Sequence, residues 1–98
     1  MNEPKLPEYL TEHEDGSVSV RFHKKVSLAG VEVDEVRLRE LTLEDQLAAS
    51  KAAGGDGGVM TDVHMLCLIG EGLSPPEVTK LPRRVFSRLQ DALRLFFV

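Results

Sequence analysis

The sequence predicts an α+β fold in which an N-terminal β-hairpin, as a small antiparallel sheet, is followed by three to four α-helices. Apolar and polar residues alternate over residues 18–39, a period typical of half-buried strands. Later segments carry apolar residues three and four positions apart and are separated by glycine and proline, which is typical of helices. The 98 residues suffice for one domain.

Residues 1–16 are predicted to form an acidic flexible tail. They contain two prolines and five of the 16 acidic residues, but only one of the 12 basic ones. Their few large apolar groups bury too little surface to order a segment alone. Residues 17–98 are therefore predicted to be a single folded domain.

The hairpin is predicted from a change of pattern at Ala29–Gly30. Glycine at the second position of a two-residue loop readily adopts the positive φ of a tight turn. The valines of residues 31–33 resume the alternation, whereas the apolar residues of 36–38 lie in the opposite phase. One extra residue near Asp34–Glu35, accommodated as a β-bulge, would explain this change.

Helix-capping residues and helix-breaking glycines and prolines predict where each helix begins and ends. Thr42 is a favourable N-cap for a first helix that ends at the glycine link 54–58. A second helix is expected over about residues 59–71, with apolar residues around most of its circumference and burial on several sides. Ser74 then caps a short helix, with Glu77 completing a capping box, and Pro82 opens an amphipathic last helix that continues to the end.

Composition disfavours several classes of function. The net charge is −4, which argues against nucleic-acid binding because that affinity depends on a dense basic face. No apolar segment approaches the roughly 20 residues of a membrane span, and the N-terminus lacks the pattern of a secretory signal. We therefore expect a cytoplasmic protein that does not bind a membrane, with the single cysteine free.

No pattern indicates catalysis, a metal or a cofactor. The glycine link is followed by Val59 instead of the lysine of a phosphate-binding loop. His64 and Cys67 lie one helical turn apart but lack the further ligands of a closed zinc site. Glu40, Glu44 and Asp45 resemble a catalytic acid group, but helix capping and the helix dipole explain them.

Protein binding is the function that the pattern favours. The last helix carries an apolar stripe predicted to serve either the core or a partner; its residues are Val85, Phe86, Leu89, Leu93, Phe96 and Phe97. Its arginines could instead contact RNA or remain solvated. Residues 32–62 hold eight acidic and three basic residues, so an acidic and a basic section could meet head to tail between copies.

The order of the motifs resembles the Mu-like phage tail assembly chaperone family. In that family a Leu-Arg-Glu signature precedes a first helix; the matching residues here are Leu38, Arg39 and Glu40. The glycine link, the turn at residues 72–75 and the phenylalanine-rich last helix match in order, so the resemblance covers about residues 18–97. Leu41, where the family has proline, and Arg83–Arg84, where an acidic residue is usual, are departures.

The resemblance implies a non-enzymatic chaperone that binds the helical tape measure protein before the tail tube polymerises and is absent from the mature virion. Arg39 and Glu40 at the strand end are expected to brace the hairpin against the first helix through an ion pair or cap. The alternative function is a small protein-binding adaptor or regulatory module of phage origin, and an RNA-binding protein is the third.

Overall fold

The computed structural model describes residues 6–55 and 57–98, and within them a three-stranded sheet precedes four helices. The strands lie in the order β1-β2-β3, and both pairings are antiparallel. The predicted α+β fold is confirmed. The elements are β1 (Leu10–Glu12), β2 (Val18–Leu28), β3 (Val31–Leu38), α1 (Leu43–Ala52), α2 (Val59–Ile69), α3 (Pro75–Thr79) and α4 (Arg83–Leu95).

The hairpin turn lies where the sequence predicted it. Ala29 and Gly30 have φ values of 52° and 81°, the left-handed pair that matches the twist of a two-residue hairpin. The Ala29 amide donates to the Glu77 carboxylate at 3.1 Å, so the turn is held against α3. Glu77 is thereby used in a tertiary contact, and the predicted capping box with Ser74 is wrong, since the Ser74 side chain makes no capping bond.

The change of phase is present, but its extra residues lie on the other strand. Arg21 pairs with Glu35 and Val26 pairs with Val33, so residues 22–25 of β2 lie opposite Asp34 alone. The prediction of one extra residue on β3 near Asp34–Glu35 is therefore wrong in strand and number. An apolar pattern reports which side chains face the core, but not which strand bends to place them there.

The segment predicted as a flexible tail contributes a strand. Leu10 pairs with Val20 and is buried, so the expectation for residues 1–16 is wrong for residues 10–12. Tyr9 strengthens the attachment, because its hydroxyl donates to Asp91 and Arg88 lies 4.4 Å from its ring centroid. This hydrogen bond, followed by burial, raises the pKa of Tyr9. Residues 1–5 lie outside the described residues.

Two helix boundaries depend on close contacts at their ends. Thr42 and Asp45 form a capping box at the start of α1, and the Thr42 cap is confirmed. Helix α2 ends at Ile69, two residues before the predicted end, because Gly70 makes an antiparallel bridge with Leu38. A Cβ at Gly70 would lie 3.0 Å from the Leu66 carbonyl oxygen, so only glycine fits there without a shift.

The core lies between the inner face of the sheet and helices α2 and α4. Val20 and Leu38 of the sheet, Leu66 of α2 and Leu89 of α4 have no exposed surface. By contrast, α1 packs on α2 at the periphery and buries only Ala49. No helix among the described residues has the length and apolarity needed to cross a bilayer.

Candidate functional site

The junction between the sheet and α1 is built around Arg39. Its guanidinium donates two hydrogen bonds to the Asp45 carboxylate, at 2.7 and 2.9 Å, and a third to the Leu68 carbonyl oxygen at 3.2 Å. Its backbone amide bonds the Ile69 carbonyl oxygen. Arg39 thus links the end of β3 to the start of α1 and the end of α2.

Arg39 and Asp45 each favour the charged form of the other. The Arg39 guanidinium, followed by the Thr42 amide and hydroxyl, holds the pKa of Asp45 well below its ordinary value. The same pair raises the pKa of Arg39. Leu38 is fully buried, whereas the Glu40 side chain makes no hydrogen bond to any described residue. The ion pair expected here is formed by Arg39, and its partner is Asp45.

The apolar stripe of α4 divides between core and surface. Four of its residues belong to the core and are buried: Val85, Phe86, Leu89 and Leu93. Core packing was one of the two roles that the sequence left open for the stripe, the other being partner contact. Their side chains are almost fully covered by the rest of the fold. Phe96 is half-buried, and Phe97 is 53% exposed. Phe97, at the C-terminal end, is therefore the residue of this stripe that offers a partner the most surface.

Phe97 borders a cavity of about 390 Å³ between α1, α2 and α4, called here the α1–α4 cavity. Its lining comprises Gln46, Ser50, Gly57, Thr61, Asp62, Met65, Gln90, Leu93, Arg94 and Phe97. Gln90 donates to Asp62 at 3.0 Å. The Thr61 hydroxyl is buried and has no hydrogen-bond partner in the part of the chain that is described. The lining of this cavity therefore mixes apolar side chains, such as Met65 and Leu93, with polar ones.

A second concavity lies between α2, α3 and α4 and is called the α2–α4 groove. Its volume is about 240 Å³, and it is lined by Val59, Met60, Val63, Val78, Thr79, Leu81, Arg83 and Phe86. Val59 and Met60 on its rim are exposed. The Arg83 guanidinium lies 5.4 Å from the Phe86 ring centroid, which places a positive charge at the edge of an apolar surface.

The periphery of α1 carries an exposed apolar pair. Leu43 and Leu47 are 70% and 63% exposed, and residues four positions apart are neighbours on a helix surface. They are called the α1 ridge. Glu44 beside the ridge is also exposed, and it is in no ion pair among residues 6–55 and 57–98.

Sequence reasoning missed both the α1 ridge and the α2–α4 groove. The sequence did contain a signal for the ridge. The two leucines lie one turn apart in a helix that otherwise has small and polar residues, so this helix has too few large apolar residues to pack deeply in a core. The groove was harder to predict, because α2 is apolar around most of its circumference and was therefore expected to be buried on several sides. The structure leaves the rim residues Val59 and Met60 uncovered.

The arrangement offers binding surfaces more readily than reaction chemistry. No group of three or more histidine, cysteine, aspartate or glutamate residues is placed to hold a metal ion in the described part of the chain. Burial raises the pKa of the half-buried Cys67 thiol to about 11, which suppresses the thiolate at neutral pH. The cavity, the groove and the exposed apolar residues are surfaces to which a protein can bind.

Comparison with known proteins identifies one family. A family model described as "Phage tail assembly chaperone proteins, E, or 41 or 14" matches residues 22–98. The match includes most of the hairpin, all four helices and both concavities. Searches of curated proteins and of solved structures give no match.

Proposed function

Because this chain belongs to the phage tail assembly chaperone family, we propose that it binds the tape measure protein while the phage tail is assembled. The observation that carries the proposal is the family match over residues 22–98. On this proposal the protein acts by binding and catalyses nothing. It works in the cytoplasm of the bacterial host and is absent from the mature virion.

The C-terminal end of α4 and the α1–α4 cavity are the proposed contact surface. Phe97 supplies a large exposed apolar group, and Met65 and Leu93 extend apolar surface into the cavity. Gln46, Gln90 and Arg94 place polar groups on the same lining. An amphipathic helix docks by inserting apolar side chains into such a concavity while polar groups fix its register. Phe96 is half-buried and continues the surface.

Co-expression with the tape measure protein of the same genome tests the proposal. We expect the two proteins to co-purify, and we expect the tape measure protein to be more soluble than when it is made alone. Phe97→Asp should weaken the complex by about 2 kcal/mol, roughly thirty-fold in Kd, as loss of a central aromatic contact does. Val31→Asp, at another exposed apolar position, is the matched control and should bind normally.

Two outcomes contradict the proposal at different levels. If the proteins never co-purify and the tape measure protein is equally soluble alone, tape measure binding is wrong, and the adaptor alternative becomes the better hypothesis. If the complex forms but Phe97→Asp leaves its Kd unchanged, the partner is correct and the proposed surface is wrong. Thermal melts of both variants would show that they remain folded.

A further inference from the structure

We propose that β1 is a detachable strap, and that the edge of β2 beneath it is an acceptor site for an extended segment of a partner protein. The segment that fits has a turn that presents a tyrosine, followed by a leucine that begins a strand. The inference goes beyond the proposed function, because it requires no tape measure protein and does not involve Phe97. Strand β1 also precedes the matched residues 22–98, so family membership does not account for it.

The attachment of β1 to the sheet is small. The strand has three residues and pairs with Val18–Val20. Leu10 is buried, whereas Thr11 and Glu12 are exposed. A segment with few buried side chains opens at a low free energy, without unfolding of the rest of the domain. We therefore expect β1 to leave β2 as a unit while the core stays packed.

A fixed turn after β1 marks the hinge of the strap. The His13 amide donates to the Ser17 carbonyl oxygen at 2.8 Å. The Asp15 carboxylate accepts from the Ser17 amide and hydroxyl at 2.9 and 2.6 Å. Arg37 of β3 donates to the Ser17 hydroxyl at 2.9 Å and to the Asp15 carboxylate at 3.2 Å. These hydrogen bonds lie outside β1, so the turn keeps its shape when β1 leaves, and the chain pivots near His13.

Strand β1 covers the part of the β2 edge that lacks protection of its own. Residues 18–20 are Val-Ser-Val and carry no charge, whereas residues 21–25 include three arginine or lysine residues. Charged side chains and bulges protect a strand edge against pairing with another chain, and the register of β2 is irregular in the same charged stretch. Removal of β1 therefore uncovers an uncharged strand edge, which is able to accept another strand.

Backbone pairing and an apolar slot are the first two features of the acceptor site. The Arg21 amide donates to the Tyr9 carbonyl oxygen at 2.8 Å, and the Leu10 amide bonds the Pro7 carbonyl oxygen at 3.0 Å, so a turn precedes the strand. Leu10 pairs with Val20, which has no exposed surface, and is itself 6% exposed. Paired side chains on one face of a sheet are neighbours, so the flank of Val20 is a slot for one leucine. Main-chain bonds give an added strand its affinity, and such slots give it specificity.

A tyrosine site on α4 is the third feature. The Tyr9 hydroxyl donates to Asp91, and the Arg88 guanidinium lies 4.4 Å from the centroid of the Tyr9 ring. Each α4 residue also has a bond that does not depend on β1. Arg88 donates to the Arg21 carbonyl oxygen at 2.8 Å, and Asp91 accepts from Arg94 at 3.3 Å. The site therefore stays formed after β1 leaves, and its cation favours another aromatic ring. Together the slot and this site select a tyrosine followed directly by a leucine.

Hydrogen exchange of the complete 98-residue chain tests whether the strap detaches. The amide of Arg21, which bonds Tyr9, should exchange at least about 100-fold faster than the amide of Leu89 in α4. Its rate should also be nearly independent of urea at low concentration, because local opening exposes little surface. Equal protection and equal urea dependence at the two amides would show that β1 opens only with the whole domain and would overturn the proposal.

A fluorescent peptide with the sequence of residues 6–14 is the probe for the acceptor site. In the parent, β1 of the same molecule occupies the site and competes with the peptide. Leu10→Asp removes the leucine from its slot and loosens β1, so this variant should bind the peptide at least about tenfold more tightly than the parent does. Leu6→Asp changes a leucine outside the strand, is the matched control, and should bind the peptide like the parent.

Further outcomes test which segment the site accepts. A peptide that carries Leu10→Ser should bind the Leu10→Asp protein at least about tenfold more weakly than the unchanged peptide. Equal binding of both peptides, or binding of neither, would overturn the proposal. If Leu10→Asp has no thermal unfolding transition, Tyr9→Phe replaces it; this variant lacks the bond to Asp91 and should bind the peptide about threefold more tightly than the parent. Parent dimers that Tyr9→Ala abolishes would show that β1 of a second copy fills the site, and would overturn the assignment to a partner protein.

Discussion

Substituting Asp45 with alanine is expected to destabilise the fold by about 1.5 kcal/mol. The carboxylate accepts hydrogen bonds from the Thr42 amide at 2.9 Å and from Arg39 at 2.7 and 2.9 Å. Loss of the hydrogen bond from the Thr42 amide to the carboxylate costs about 1 kcal/mol, and an ion pair with a half-exposed arginine contributes about 0.5 kcal/mol. In a domain of this size the loss corresponds to a Tm lower by about 6–12 °C.

A double-mutant cycle separates the cap from the ion pair. Arg39→Ala removes the ion pair but leaves the Thr42–Asp45 capping box intact, so it should cost less than Asp45→Ala. The coupling between the two positions should be about 0.5 kcal/mol. Glu44→Ala is the matched control, because it removes a neighbouring carboxylate that is in no ion pair among the described residues. It should change stability by about 0.5 kcal/mol or less.

The stability that the Asp45 carboxylate gives the fold should decrease at acidic pH. Hydrogen bonds from Arg39, and then from Thr42, lower the pKa of Asp45 in the folded protein. Because the pKa of Asp45 is lower in the folded than in the unfolded protein, its carboxylate stabilises the fold fully above the unfolded pKa of about 3.9. This stabilisation is lost as the pH falls through the folded pKa. The Tm gap between the parent and Asp45→Asn should therefore stay constant from about pH 7 to pH 5 and narrow below about pH 3.

Two results would refute the reasoning about this junction. One is a gap between the parent and Asp45→Asn that persists undiminished at about pH 2, where the carboxylate of the unfolded chain is protonated. The other is a Tm for Asp45→Ala within about 2 °C of the parent, which is less than loss of the hydrogen bond from the Thr42 amide alone would give. Urea unfolding at pH 7 would supply the free energies independently of the thermal data.

Three further predictions test packing and burial. Gly70→Ala should cost about 1–3 kcal/mol by urea unfolding, because its Cβ would overlap the Leu73 side chain and lie 3.0 Å from the Leu66 carbonyl oxygen. Gly58→Ala, with open space around it, should cost less, about 0.5–1 kcal/mol, because it only replaces the glycine N-cap of α2. Thr61→Val should stabilise by about 1 kcal/mol, since it removes an unpartnered buried hydroxyl, and a lower Tm would contradict this. Cys67 should react slowly with a thiol reagent at pH 8 and much faster in urea, because burial raises its pKa to about 11; equal rates would show that the thiol is accessible.

Local chemistry determined what could be predicted from the sequence. The reversal at Ala29–Gly30 and the cap at Thr42 depend on residues within a few positions, so the local sequence is enough to locate them. The strand at residues 10–12 was missed because its burial depends on pairing with β2 and on a hydrogen bond from Tyr9 to Asp91. A short acidic segment with few apolar groups carries no local sign of a partner 82 positions away.

The binding surfaces were hard to predict for a different physical reason. An amphipathic pattern separates apolar from polar faces, but a partner-binding face and a core face have the same composition. Only the packing of the other elements decides which apolar residues stay uncovered. The stripe of α4 shows this directly, because Leu89 is fully buried and Phe97 is 53% exposed.

The cap and the ridge are physically linked, because α1 buries only Ala49 and gains little from the core. Its position depends on the capping box and on Arg39, and Leu43 of the ridge follows the N-cap directly. Loosening the start of α1 should therefore disorder the ridge as well as lower the stability, although Asp45 lies outside the ridge. If Asp45→Ala lowers the Tm but leaves the backbone amides of residues 43–47 as protected from hydrogen exchange as in the parent, the ridge does not need the ordered start of α1.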